Sequence, residues 1–116
     1  MPGMLPGEAA SALLTVLPLD VTFIDADDII RFYSDYRIFK RTPDILGTSV
    51  QSCHPPASRR QVTELIDDLK SGRKPVSEFK AEKKGRSVNI RYSAVRSIAG
   101  EYVGLLEVAM WADKNL

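Results

Sequence analysis

The sequence has little of the chemistry from which most enzymes and metal centres are built. It has one cysteine, one histidine and one tryptophan in 116 residues. A single cysteine excludes a disulfide within the chain and suits a reducing compartment, so a cytoplasmic location is expected. A structural zinc needs about four Cys, His or carboxylate ligands, and nothing in the chain supplies them at a suitable spacing. The C-x-x-C-H motif of covalent haem attachment is missing, as are the G-x-S-x-G nucleophile elbow and the G-x-x-x-x-G-K-[ST] phosphate loop. No apolar run approaches the roughly 20 residues of a membrane helix, and "MPGMLPGEAASALLTVLP" lacks the basic start of a secretory signal. The 16 Lys+Arg residues nearly balance the 15 Asp+Glu, so no general attraction to nucleic acid or to a membrane is expected. These absences point away from an enzyme and towards a binding module.

The chain has the length of one domain, with room for a single core and a small pocket. After a Pro/Gly-rich start, residues 8–17 predict a short amphipathic helix with Ala9, Leu13, Val16 and Leu17 on one face. Residues 20–25 and 28–34 predict a β-hairpin around the acidic turn "DADD", with Val21 and Phe23 alternating against Thr22. "TPDILG" (42–47) forms a small helical unit, with Pro43 suited to the first helical position and Gly47 to its end. The strongest periodic signal is in 55–72. Val62, Leu65, Ile66 and Leu69 recur at helical spacing, Arg59 and Glu64 take the wet side, and Gly72 stops the helix. Leu65 and Ile66 are therefore expected in the core.

The last third predicts a meander of three strands over 75–83, 87–97 and 102–111, with turns at "KKGR" and "AGE". The third of these is apolar on both faces apart from Glu107, as befits a central strand covered on both sides, with the N-terminal helix as its outer cover. The class is α+β with an antiparallel sheet.

Four segments carry a more specific likeness: "LPLDVTFID" (17–25), "RIFKRTPDILG" (37–47), "CHPP" (53–56) and "GEYVGLLEV" (100–108). In this order they resemble a PAS domain, of the kind found C-terminal to hemerythrin-like domains in bacterial and archaeal proteins. The iron-binding bundle of those proteins has no counterpart here, since one histidine cannot supply its ligands. The resemblance implies a five-stranded sheet in the order 2-1-5-4-3, with the short helices and one long helix on one face. It further implies a sensory module in signal transduction, with a small ligand held between sheet and helices and a homodimer formed through the N-terminal helix. The corresponding organisation is a tail and helix over 1–17, the domain over 18–112 and a short tail over 113–116. Phe39, Arg41, Leu65, Ile90 and Tyr92 are the pocket candidates.

Cys53 and His54 are neighbours just before Pro55 and Pro56. The prolines stiffen the chain into the long helix, because each fixes its own φ and holds the preceding residue extended. Structure or pocket lining is thus the first reading of the pair. Non-covalent haem needs one axial ligand, which His54 or a Cys53 thiolate could supply; a haem-based gas or redox sensor is the alternative. Cys53 near a helix N-terminus also suits a redox-active thiolate. A scaffold with an empty pocket is the third reading. Asp25, Asp27 and Asp28 read as a solvated turn, not a catalytic cluster. Arg41 or Arg91 could fork onto a carboxylate of an anionic ligand.

Overall fold

Alternating side chains over the last third of the chain build three paired strands, and the N-terminal hairpin adds two more. The computed structural model describes residues 2–112. Its elements run α1 (Gly7–Val16), β1 (Asp20–Asp25), β2 (Ile30–Tyr33), two 3₁₀ turns (Pro43–Ile45 and Val50–Cys53), α2 (Pro56–Ser71), β3 (Val76–Lys83), β4 (Arg86–Arg96) and β5 (Tyr102–Trp111). All strand pairs are antiparallel, in the order β2-β1-β5-β4-β3. The last strand in sequence is thus the central one, as its apolar character predicts.

Turn chemistry sets the connections. Asp25 Oδ1 accepts the amides of Asp27 (2.9 Å) and Ile29 (3.0 Å), and Asp28 adopts a left-handed φ of 65°. Asp25 also pairs with Arg31, and Asp28 with Lys70 Nζ at 2.9 Å, which ties the hairpin to the end of α2. Asp25 and Asp28 hold the turn in place through these bonds, while Asp27 stays exposed, as a solvated turn predicts. Between β3 and β4 the turn closes with Lys84 and Gly85 both at positive φ (53° and 74°), the geometry that matches strand twist. Gly72 ends α2 at φ 82° and donates its amide to Leu69.

Helix α2 and the two 3₁₀ turns cover one apolar cluster on one face of the sheet, and residues 38–39 cover a second. Ile24, Ile30, Val50 and Leu105 meet Ile66 and Leu69 of α2. Further along the strands, Val88 and Ala109 meet Ile38, with Ile90 and Trp111 packed against them. Leu69 and Ile66 are buried, but Leu65 is only half-buried. The helix phase predicted from sequence therefore holds, with its centre turned towards Leu69.

The hairpin departs from simple alternation. Thr22 is buried and Phe23 only partly so, because Thr22 faces the helices with Asp20 and Ile24. The sequence-based expectation that α1 covers the other face of the sheet gains no support from burial. The helix has no buried residue, and Leu13, Val16 and Leu17 are exposed. Leu106, Val108 and Met110, which point to that face from β5, stay half-buried. Among the described residues, no helix is long and apolar enough to cross a membrane.

Gly104 marks the tightest approach between central strands. A Cβ there would press on the Ile24 carbonyl oxygen and stand 2.6 Å from Phe23 Cζ. Gly104→Ala is therefore expected to cost about 1–3 kcal/mol by overpacking. A urea melt within 0.5 kcal/mol of wild type, on the order of a neutral surface change, would contradict this packing.

Candidate functional site

The register of the sheet lines up a polar row between the two apolar clusters. Tyr92 lies opposite Glu107, Glu107 opposite Thr22, and Thr22 opposite Tyr33, so four strands contribute to one line on the helix-covered face. Glu107 is the one charged residue of β5, and it faces the helices beside Leu105 and Ala109. Burial pushes the Tyr92 phenol well above its usual range. The charge of Glu107 and its hydrogen bond from the Tyr92 hydroxyl add to the shift, while Arg41 opposes it. Tyr92 is thus a neutral donor at any physiological pH.

The next residue of β1 on this face is Asp20, which anchors the segment that follows β2. Its Oδ2 accepts the amides of Ile38 and Phe39, both at 2.9 Å. Its Oδ1 lies 2.7 Å from Arg37 Nη1, an ion pair not aligned as a hydrogen bond. The Arg37 side chain is only 7% exposed. Its Nη1 donates to the Val21 carbonyl and to Thr22 Oγ1, and its Nε donates to the Phe39 carbonyl. Burial lowers the Arg37 pKa, and Asp20 partly offsets that. Ser34, also buried, accepts the Val21 amide and donates to the Leu19 carbonyl. The 35–41 segment is consequently a strap pinned to the sheet from beneath.

The predicted residues divide between two clefts. A small cleft of about 160 Å³ opens between α2 and the sheet. His54, Ser58 and Gln61 line one side with Val62 and Leu65, and Phe79 and Tyr92 line the other. Phe79 and Tyr92 meet edge to face, with centroids 5.8 Å apart. Phe39 and Arg41 instead line a separate cleft of about 450 Å³ beside the strap. Ile90 packs in the second apolar cluster and lines neither cleft. Arg91 is exposed on the opposite face of the sheet.

His54 ends the second 3₁₀ turn, half-buried. Its Nδ1 lies 3.0 Å from the Val50 carbonyl. A carbonyl only accepts, so Nδ1 carries the proton and Nε2 is left for another partner. Arg59 Nε donates to the Gln51 and His54 carbonyls at 3.2 and 3.3 Å, bracing the same joint. The backbone of Cys53 belongs to the 3₁₀ turn, but its side chain lies outside the described residues. The free Nε2 suits an axial ligand in chemistry. The cleft beside it does not suit a porphyrin, being smaller than the roughly 300 Å³ at which drug-sized pockets begin. Among the described residues, no three His, Cys, Asp or Glu side chains gather where a metal ion could be held.

Asp20, Arg37 and Glu107 were not singled out from sequence. One signal was present: a single carboxylate interrupting an otherwise apolar central strand. Asp20 and Arg37 carried none, because 17 positions separate them and only the folded strap brings them together.

Comparison with known proteins agrees with this architecture. None of the curated proteins matches the chain significantly. Among solved structures, the chain is similar to the C-terminal domain of a protein from Streptococcus mutans, at 33% identity and a TM-score of 0.87, covering 97% of this chain and 90% of that one. It shares its fold with the PAS domain of Bordetella pertussis BvgS, at 19% identity and a TM-score of 0.71, covering 93% and 87%. It also shares it with a sensory box sensor histidine kinase from Vibrio cholerae, at 17% identity and 0.62, covering 88% of each chain. A family model described as the PAS domain matches residues 11–110. With its sheet order and with α2 and the 3₁₀ turns packed on one face, the chain belongs to the PAS domain family.

Proposed function

We propose that this domain is a non-enzymatic sensory module that binds a small organic ligand in the cleft between α2 and the sheet. The observation that carries the reading is the convergence there of His54, Gln61 and Tyr92 with the apolar Val62 and Leu65. A few polar groups set in an apolar wall are what a small-molecule site requires. The size of the cleft favours a ligand of few heavy atoms, with a hydrogen-bond acceptor turned to Tyr92. Such a ligand competes with Glu107 for the Tyr92 hydroxyl, and Glu107 stands on the central strand. Occupancy is thereby coupled to the middle of the sheet. The fold shared with a sensory box of a histidine kinase supports a signalling role.

The test combines native mass spectrometry of freshly purified protein with a thermal-shift screen of short carboxylic acids, amides and alcohols. A bound mass or a saturable rise in Tm is expected. Leu65→Phe, which fills the half-buried side of the cleft, should abolish it. No adduct and no shift from any compound would leave an empty scaffold as the reading. A Soret band in the purified protein would instead revive haem ligation through His54.

The exposed Leu13, Val16 and Leu17 of α1 support a homodimer through this helix. Light scattering should give twice the monomer mass for wild type and the monomer mass for Leu13→Glu/Val16→Glu. Equal masses for the two proteins would sink this arrangement.

A further inference from the structure

A second cleft, distinct from the one beside His54, has an unusual balance of charge. It lies between the strap, the β3–β4 turn and the end of β5, with a volume of about 450 Å³. Among the described residues, Arg37, Lys40, Arg41, Lys83 and Lys84 line it, and no carboxylate does. The chain as a whole carries a formal net charge of only +1, so this concentration is local. Elsewhere, Arg31, Arg60, Lys70, Arg73 and Lys74 each face a carboxylate, while Arg59, Lys80, Arg91 and Arg96 face none among the described residues but do not share a cleft with one another. Among the described residues, Lys40, Arg41, Lys83 and Lys84 face none.

The backbone holds these charges in place. Lys40 and Arg41 follow directly on Ile38 and Phe39, whose amides are bound by the buried Asp20 carboxylate. Lys84 sits at φ 53°, in a turn position usually filled by Asn, Asp or Gly. A cation there runs against the backbone preference of the turn. The walls are aromatic. Phe39 has Lys83 Nζ 5.9 Å from its ring centroid, and Trp111 carries the Arg86 guanidinium 3.9 Å above its ring.

We propose that this cleft is a binding site for an organic phosphate carrying several negative charges, of the di- or triphosphate class. Four cations without carboxylates repel one another, and a polyanion relieves that repulsion. Arginine forks onto phosphate oxygens while lysines act as point charges. The volume exceeds what a bare phosphate fills and falls within the range of small-ligand pockets, roughly 300–1,000 Å³. The aromatic walls accommodate the organic part. The site is independent of the cleft at His54, so either can fail without the other.

Trp111 is the only tryptophan of the chain, so its fluorescence reports directly on this cleft. The full chain is titrated with sodium pyrophosphate and with ADP at low salt, against sodium chloride at matched ionic strength. A saturable change in Trp111 emission is expected, with one-to-one stoichiometry by calorimetry and a raised Tm. Lys40→Ala/Lys84→Asn should weaken both ligands about tenfold or more, the scale of losing charge-assisted contacts. Asn suits the turn, and circular dichroism checks the fold. Arg60→Ala/Lys74→Ala, removing two cations outside the cleft, should change binding less than about twofold, the range of neutral surface changes. A response no larger than that to sodium chloride would mean screening alone and would overturn the proposal. So would saturable binding that survives the double variant. A response only to a single-stranded oligonucleotide would replace it with a nucleic-acid surface.

Discussion

Asp20→Ala should lower folding stability by about 3–5 kcal/mol, the scale of removing one partner from a buried ion pair. Asp20 is fully buried, and its carboxylate has three protein partners. Removing it strips the amides of Ile38 and Phe39 of their acceptor and leaves the Arg37 charge buried without its counter-ion. Burial already lowers the Arg37 pKa, and Asp20 is the largest effect opposing this. Arg37 Nη2 is also buried without a hydrogen-bond partner, so the residue has no slack to absorb a second loss. Urea melts of Asp20→Ala, Arg37→Met and the double variant separate the contributions. The double variant should lose much less than the sum of the singles, because an apolar side chain no longer demands a counter-ion. A cost below about 1 kcal/mol for Asp20→Ala, the range of an exposed pair, would show that water reaches this carboxylate.

Leu69→Ala should cost about 2–5 kcal/mol through lost burial and the cavity left behind. Leu69 is 0% exposed and packs with Ile24, Ile30 and Leu105 across the sheet. Leu65→Ala should cost clearly less, because one side of Leu65 opens to the small cleft. Sequence periodicity alone makes Leu65 and Ile66 the central pair and puts Arg59 on the wet side, where it is exposed. The structure moves the centre by one turn and gives Arg59 two carbonyl partners. Arg59→Ala should therefore cost about 1 kcal/mol, the worth of ordinary hydrogen bonds. Equal losses for Leu69→Ala and Leu65→Ala would mean that α2 is rotated about its axis.

The elements themselves were legible because each rests on local rules. Helix α2 shows its period, its proline start and its glycine stop within one short window. The β3–β4 hairpin shows its turn in Lys84-Gly85, and the apolar β5 shows that it is central. The sheet order and the position of the helices came with the PAS resemblance, which the family match bears out. Strand ends were less legible. Residues 28–34 shrink to Ile30–Tyr33, because Asp28 turns left-handed and Ser34 is drawn into the bonds that start the strap.

The candidate pocket residues were legible as residue types but not as a set. His54, Leu65 and Tyr92 share one cleft, Phe39 and Arg41 line another, and Ile90 lies within an apolar cluster. Which side chains meet depends on register across several strands and on how the strap lies over them. A one-residue change of register would turn Glu107 and Tyr92 to the other face. Short windows of sequence are enough for the helices, the turns and the central place of β5, since period and backbone preference act over a few residues. Folding in three dimensions is what brings Asp20 to Arg37, sets Glu107 on the helix-covered face, and gathers at one cleft four lysines and arginines that have no carboxylate partner among the described residues. Those pairings join positions far apart in the chain, and their energies exist only once burial has removed the water between them.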